Sequence, residues 1–298
     1  LKLNTSGDAN CAFGRSSLNN NTTGDDNCAF GKNSLAANTT ASDNTAFGHY
    51  ALASNTVGYS NTAVGSLALD ACTDGDNNTA CGQNSLTNNT TGRNNTAVGV
   101  SALRDVTSGG QNVSIGTSAA QGVTTGDNNI GIGHDSLRGG SPSGNITTGS
   151  NNICLGDDNI TNLFCADTSI SSSDSRDKTD IADFSIGLDW IKALRPVTYK
   201  WDKRSWYGTE AEPYGTPDGS KKASKVNIGF LAQEALEVEK ANGYGDSSDN
   251  MLICNLTEDG MRYGMKYERL VPILVNAIKE LSTKNTALET RVATLEAA

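Results

Sequence analysis

Short apolar segments recur at a fixed interval through the first half of the chain, each opened by asparagine and closed by glycine. One of them reads NIGIG at 129–133. Eight consecutive closing glycines lie 17 residues apart, from Gly14 to Gly133. A ninth copy ends at Gly156, and the loop-like stretch GGSPSG at 139–144 accounts for its six extra residues. Such a strict interval predicts that each unit stacks on the one before it.

Each unit is too short for two helices, and its glycine and asparagine content disfavours them. Alternate residues such as Ile130 and Ile132 point to one side of a short strand. One repeat is therefore predicted to run strand, turn, strand, turn, as one coil of a β-solenoid or β-roll. Asn10 and its equivalents are interpreted as a side-chain ladder that closes turns. An apolar residue four positions after most of the glycines completes the inner face of the next segment: Leu18, Leu35, Leu52, Leu69, Leu86, Leu103 and Leu137.

After residue 165 the repeats stop and helical patterns appear. The segment 186–196 places apolar residues on one helical face and ends at a proline, and 197–201 alternates as a strand. The stretch 202–225 is interpreted as a long loop or hairpin. The segment 226–243 predicts a strand that leads into a helix, and a long C-terminal helix with a heptad pattern follows it.

Composition and charge narrow the possible functions. The net charge of −10 argues against nucleic-acid binding, and no apolar run is long enough to cross a membrane. The first ten residues lack a secretion signal and an initiator methionine, which predicts a fragment of a longer protein. No cofactor or metal site is expected. His49 and His134 are interpreted as surface residues, and the seven cysteines, none with zinc-type spacing, as small buried hydrophobic residues.

The repeats resemble the "N-x-[VI]-x-[VI]-G" units in the head domains of trimeric autotransporter adhesins and similar units in phage tail fibres. The resemblance covers about residues 7–160 and implies three parallel chains. The heptad pattern gives a different indication, because its β-branched a positions and leucine d positions favour two strands, with Asn285 at an a position. Only about three heptads carry that preference. The trimer is therefore the main prediction, and a dimer stays as the minority alternative.

The stretch SSDSRDK at 172–178 contains a candidate catalytic pair. A serine hydroxyl needs a base to attack a peptide carbonyl, and no histidine follows residue 134, so lysine is the remaining candidate base within this domain. Ser173 and Lys178 would be nucleophile and base. From the spacing alone, a solvated linker with a helix cap is the more common interpretation of such a segment.

With GFLAQE at 229–234 and the heptad helix, the motif S-D-x-R-x-K resembles the C-terminal intramolecular chaperone of phage tail spikes and endosialidases, a self-cleaving serine peptidase. That resemblance implies cleavage between Ser172 and Ser173, with Asp174 and Arg176 in supporting roles.

The predicted architecture is a mainly β repeat shaft at 1–160, a linker at 161–172, and a small α+β domain at 173–298 that ends in a long coiled-coil helix. The resemblances together imply a virion tail fibre made in the host cytoplasm, whose partners are two further copies of itself and a glycan or protein of the host surface. The alternatives are a non-cleaving adhesin with a permanent trimerisation cap, and a rod that binds host glycans.

Overall fold

A computed structural model describes residues 1–160, 162, 173, 175–209 and 212–297. The chain divides into two compact units. The first consists of Leu1–Thr161 together with Lys203–Asp218, and the second of Asn162–Asp202 together with Gly219–Ala298.

The first unit is built on a nine-stranded parallel sheet in which every strand pairs with the next one along the chain. The pairing register advances by 17 residues, as in Cys11↔Cys28, and by 23 residues across the insertion, where Ile130 pairs with Ile153. The insertion at 139–144 therefore lies outside the ladder, and the predicted β-solenoid is confirmed. The strands are β1 Cys11–Phe13, β2 Cys28–Phe30, β3 Thr45–Phe47, β4 Thr62–Val64, β5 Thr79–Cys81, β6 Thr96–Val98, β7 Val113–Ile115, β8 Ile130–Ile132 and β9 Ile153–Leu155.

Each coil has one strand, so the second strand predicted in every repeat is wrong. The leucines expected there are fully buried in the core, but they lie in turns with left-handed backbone, as at Leu86 with φ +50°. Coils also approach closely at glycine: a Cβ atom on Gly14 would lie 2.6 Å from the carbonyl oxygen of Gly31. The leucine and glycine positions thus set the size of the coil.

Asparagine forms the ladder that the sequence predicts. The side-chain amide of Asn78, which has no exposed surface, donates to Gly92 O at 2.9 Å and to Asn61 Oδ1 at 3.1 Å. Its own oxygen accepts the backbone N–H of Asn95 at 3.0 Å. The same contacts repeat up the shaft, so each asparagine satisfies polar groups of its own coil and of its neighbours.

The middle residue of each strand points into the coil, and the first and third point outward. Apart from half-buried Ala12, the middle residues are buried and small, mostly alanine. Ile130 and Ile132 do share one side, as predicted, but that side faces away from the core and leaves Ile132 exposed. We call the outward positions of the nine strands the outer face: Cys11, Phe13, Cys28, Phe30, Thr45, Phe47, Thr62, Val64, Thr79, Cys81, Thr96, Val98, Val113, Ile115, Ile130, Ile132, Ile153 and Leu155.

The second unit confirms the helices and strands predicted for it. Helix α1 (Leu188–Ala193) precedes a hairpin of β10 (Val197–Tyr199) and β11 (Asn227–Gly229), whose long connection includes a 3-10 turn at Arg204–Tyr207. Helix α2 (Ala232–Ala241) then leads to a second hairpin, β12 (Cys254–Leu256) with β13 (Tyr263–Met265), which the sequence patterns missed. Further 3-10 turns lie at Ser175–Asp177, Ser248–Asn250 and Tyr267–Arg269, and α3 spans Leu270–Glu296.

The expectation that the cysteines are buried is only partly right. Cys72, Cys154 and Cys254 are buried, Cys28 is half-buried, and Cys11 and Cys81 are exposed. Cys165 lies outside the described residues. Both exposed thiols belong to the outer face, where a small apolar side chain contributes to an apolar surface rather than to the core.

Candidate functional site

The predicted Ser–Lys pair lies at the start of the second unit, around a short 3-10 turn. The turn spans Ser175–Asp177, and the backbone N–H of Lys178 donates to the carbonyl of Ser175 at 3.3 Å. This tight reversal folds the chain back on itself, so that residues five positions apart can meet.

The structure brings Ser173 and Lys178 into direct contact. The ammonium Nζ of Lys178 donates a hydrogen bond to Ser173 Oγ at 2.7 Å. Both side chains are exposed in the single chain. A nucleophile and its base must lie about 2.6–3.2 Å apart. The distance between Ser173 and Lys178 meets that requirement.

Three further predicted positions are less complete. Ser172 and Asp174 lie outside the described residues. Of the two residues that flank the predicted cleavage bond, the structure therefore describes only Ser173. Arg176 is exposed within the 3-10 turn. The predicted supporting roles of Asp174 and Arg176 therefore stay predictions.

A compact apolar core supports the domain that carries this pair. Trp190 of α1 and Leu194, the residue after that helix, pack with Leu236 of α2 and with Ile253 and Ile273. On α3, Asn276 donates to the carbonyl of Ile186 at 3.2 Å, which joins the long helix to the segment before α1.

One buried carboxylate holds α2 against the second hairpin, and the sequence reading missed it. Glu239 has no exposed surface, and its oxygens accept the backbone N–H groups of Leu252, Ile253 and Cys254 at 3.0, 2.6 and 2.7 Å. The carboxylate also contributes, after burial itself, to raising the pKa of the Cys254 thiol to about 12. The available sequence signal was its spacing, since Glu239 lies three residues after Leu236 on the buried side of the helix.

The long helix leaves an apolar stripe without a partner in the single chain. Its first turns are buried at Leu270, Ile273 and Ala277, but the heptad residues face solvent. Such a stripe is typical of a helix that associates with other helices. The exposed residues are Leu274, Ile278, Leu281, Leu288, Val292 and Leu295.

The segment Lys203–Asp218, which belongs to the first unit, packs on the last coils of that unit. Lys203 donates to the carbonyl of Asp158 at 2.8 Å, and Ser205 donates to the nearly buried Asp158 carboxylate. Beside them lies an open groove of about 740 Å³, lined by residues that include Arg104, Arg138 and Pro213. The groove has polar walls, and the described residues that line it include no Phe, Tyr or Trp.

The described part of the chain has neither a membrane-spanning helix nor a grouped set of metal ligands. There, no helix is both long enough and apolar enough to cross a bilayer, and no three His, Cys, Asp or Glu side chains are grouped so as to hold a metal ion. His49 and His134 are exposed, as expected. His134 lies 3.4 Å from a carboxylate oxygen of Asp135 and 3.6 Å from one of Asp157.

Comparison with known proteins finds a similarity for part of the chain. No curated protein and no solved structure matches the chain. One peptidase family, described as the chaperone of endosialidase, matches residues 173–244. The match begins at Ser173, the serine of the Ser–Lys contact, and contains α1, the first hairpin and α2. Residues 173–244 are thus similar to an endosialidase chaperone, and they follow a β-solenoid of 17-residue coils.

Proposed function

We propose that this chain is part of a trimeric viral tail fibre. Residues 173–298 drive assembly of the homotrimer and then cut the chain once, between Ser172 and Ser173. The observation that carries the proposal is the 2.7 Å contact between Lys178 Nζ and Ser173 Oγ at the first residue of the family match. The match to a chaperone of endosialidase supports both assembly and self-cleavage.

The proposed reaction needs only these two side chains, the scissile peptide and water. Neutral Lys178 takes the proton of Ser173 Oγ, and the oxygen attacks the carbonyl carbon of Ser172. The C–N bond then breaks, and the ammonium of Lys178 returns the proton to the leaving amine of Ser173. An ester now links the Ser172 carbonyl to Ser173 Oγ. Water hydrolyses this ester and leaves a carboxylate on Ser172 and a free amino group on Ser173.

Assembly can control this reaction through the protonation state of Lys178. A lysine acts as a base only where its surroundings favour the neutral amine, and desolvation is the main cause of such a preference. Both Ser173 and Lys178 are exposed in the single chain. We therefore expect the pair to become active only when other copies cover it. The exposed heptad stripe of α3 supplies a surface for that association.

The test is a denaturing gel with intact mass on freshly expressed wild type and four variants. Ser173→Ala removes the nucleophile. Lys178→Arg keeps a positive donor beside Ser173 but cannot accept a proton, since the arginine side chain does not deprotonate in proteins. Both variants should remain full length while wild type splits after Ser172. Ser175→Ala and Lys192→Ala are matched controls at exposed positions, and both should cleave as wild type does.

The same gel decides between the proposal and a permanent cap. If wild type stays full length although it is trimeric, the domain is a non-cleaving trimerisation cap. If Lys178→Arg cleaves at the wild-type rate, Lys178 is not the base. Binding of a host glycan is a separate candidate function. It is favoured only by the polar groove of about 740 Å³, and a glycan array would test it.

A further inference from the structure

Two cysteines stack directly on one another in the first two coils of the described sheet. Cys11 in β1 pairs with Cys28 in β2. Among the described strand pairs, only this one places cysteine opposite cysteine. The rings of Phe13 and Phe30, two positions further along the same strands, stack with their centroids 5.8 Å apart. The register that aligns the two thiols is therefore held both by the ladder and by side-chain packing.

The distance between the two strands suits a disulfide. Neighbouring strands of a sheet lie about 4.7–4.9 Å apart, and the Cα atoms of a disulfide usually lie about 4.4–6.8 Å apart. Cys11 and Cys28 are both free, and their thiols lie within hydrogen-bonding distance of each other. The Cβ atoms of a disulfide are about 3.8 Å apart, so bond formation would draw the two strands together by about 1 Å.

The edge position of β1 makes that shift possible. Within the described sheet β1 pairs only with β2, so β1 can move without breaking another strand pair. A disulfide that departs from its preferred geometry is also more easily reduced. A bond between Cys11 and Cys28 would therefore form and break with the redox state of its surroundings.

We propose that Cys11 and Cys28 form a redox-sensitive clamp: a small-molecule disulfide oxidises them to a disulfide that closes one coil into a covalent ring. The clamp involves a single chain and depends neither on trimer assembly nor on cleavage after Ser172. For a fibre that is made in a reducing cytoplasm, the oxidant is met outside the cell, after the coils have formed. Oxidation then fastens the first described coil to the second.

The surroundings of the two thiols give each of them a different part in the reaction. Burial, and then the neighbouring Cys11, raises the pKa of the Cys28 thiol. The thiolate is the attacking species, so half-buried Cys28 reacts slowly with a disulfide in solution. Cys11 is exposed and meets the oxidant first. Cys28 then resolves the mixed disulfide that Cys11 has formed.

The reaction balances with glutathione disulfide as the oxidant. The Cys11 thiolate attacks one sulfur of glutathione disulfide, whose S–S bond breaks and releases one glutathione thiolate. The Cys28 thiolate then attacks Cys11 Sγ, and the second glutathione thiolate leaves. The leaving thiolates take up the two protons that the cysteines have lost. The protein is oxidised by two electrons, and one glutathione disulfide is reduced to two molecules of glutathione.

The test is oxidation of the folded, full-length chain by glutathione disulfide, followed by alkylation, trypsin digestion and mass spectrometry without reduction. Arg15 lies between the two cysteines, so trypsin releases them on separate peptides, 3–15 and 16–32. The expected product is these two peptides joined, with the loss of two hydrogen atoms. The oxidised protein should run as a single chain on a denaturing, non-reducing gel, and dithiothreitol should separate the two peptides.

Two variants control for the proximity of the thiols. Cys28→Thr introduces the residue that Thr45 supplies at the same position of the next coil, and it leaves Cys11 without a resolving thiol. Cys11 should then retain one glutathione. The double variant Cys28→Thr with Thr45→Cys keeps two thiols in this column but places them two coils, or about 9.6 Å, apart, which is beyond the reach of a disulfide. It should form mixed disulfides with glutathione and no cross-link.

Hydrogen exchange measures what the clamp does to the coil. The backbone N–H of Cys11 donates to the carbonyl of Asn27 at 2.8 Å, from the first coil to the second. Oxidation should slow the exchange of this amide by about ten-fold or more, because the first coil can no longer separate from the second. The N–H of Thr79, which donates to Asn95 at 2.8 Å in the middle of the sheet, should exchange at an unchanged rate.

Four results would overturn the proposal. The first is wild type whose Cys11 retains glutathione to the same extent as in Cys28→Thr. The second is a cross-link between two chains, seen as a dimer band on the non-reducing gel. The third is a double variant that cross-links as well as wild type does. The fourth is a cross-link that leaves the exchange of the Cys11 amide unchanged. None of them bears on cleavage after Ser172, which a reducing gel of the same samples measures separately.

Discussion

The asparagine ladder can be tested by a nearly isosteric change in its middle. Asn78→Asp keeps the shape of the side chain and the oxygen that accepts from Asn95, but it removes the amide that donates to Gly92 and Asn61. Two hydrogen bonds are lost, at about 1 kcal/mol each. The new carboxylate has no exposed surface, and its second oxygen faces two other oxygens, which costs several kcal/mol more. We expect a total destabilisation of about 4–6 kcal/mol at neutral pH.

The pH dependence identifies the cause. Burial raises the pKa of the introduced carboxyl, so the folded state binds a proton more readily than the unfolded state. The destabilisation is then complete above the folded-state pKa and shrinks as the pH falls toward the unfolded value of about 4. Protonation also restores one donor to the ladder. Rates of unfolding in guanidinium, measured at pH 7 and pH 4.5, give the difference from wild type under both conditions.

Asn94→Asp is the matched control in the same coil. Asn94 is exposed, and its left-handed backbone, with φ +59°, suits aspartate as well as asparagine. We expect an effect within about 0.5 kcal/mol. Equal unfolding rates for Asn78→Asp and Asn94→Asp, or a difference that does not change with pH, would refute the view that buried amide donors hold the coils together.

Three further changes test the charged groups. Glu239→Ala leaves three backbone N–H groups without their acceptor and should lower the free energy of unfolding by about 3 kcal/mol or more, whereas exposed Glu237→Ala should have little effect in the same urea titration. The guanidinium of Arg195 holds the pKa of Glu234 below its usual value, so the stabilisation from this pair is present above the unfolded pKa and is lost as the pH falls; Arg195→Gln should raise the Glu234 pKa in an NMR titration. Burial raises the pKa of Asp70, whose Oδ1 has no hydrogen-bond partner. Asp70→Asn should therefore raise the melting temperature near pH 7, and calorimetry should show that this gain shrinks toward pH 4.

Periodicity was a reliable guide to the coil but not to the direction of its side chains. The 17-residue interval predicts the strands, their register and the buried leucines, because any slip would move every side chain to the other side of the coil. Alternation shows only that Ile130 and Ile132 share a side. The leucines already fill the small interior, so the strand can place only alanine-sized residues there, and its larger side chains face outward.

The structure departs from the sequence-based predictions for local reasons. The second strand of each repeat is predicted at leucines, but these leucines adopt left-handed backbone. A leucine in the sequence does not indicate that conformation, because residues other than glycine, asparagine and aspartate seldom adopt it. The buried Glu239 was missed because an isolated glutamate on a helix is usually solvated. The family resemblance, and not the spacing, pointed to Ser173 and Lys178 as a pair. A spacing of five residues brings two side chains together only when a tight turn lies between them, and here that turn is the 3-10 turn at Ser175–Asp177.

Shafts made of identical coils could associate in several registers, each shifted by one coil. The residues of the outer face indicate which part of the shaft can set the correct register. If three outer faces mate, a shift by one coil still pairs apolar rungs with apolar rungs and loses the contacts of only one coil in nine. The middle of the shaft therefore discriminates poorly between registers. The first position of the strands is cysteine in β1 and β2, threonine in β3–β6, and valine or isoleucine in β7–β9. Rungs without threonine therefore lie at both ends of the sheet, and those of β7–β9 are nearest in sequence to the chaperone region. The six-residue insertion between β8 and β9 is the irregular feature of the same stretch. If association starts at β7–β9 and residues 173–298 set the register, the correct alignment would propagate toward the first coil. Removing that domain afterwards would leave the shafts held by contacts that cannot easily re-register, which is kinetic stability.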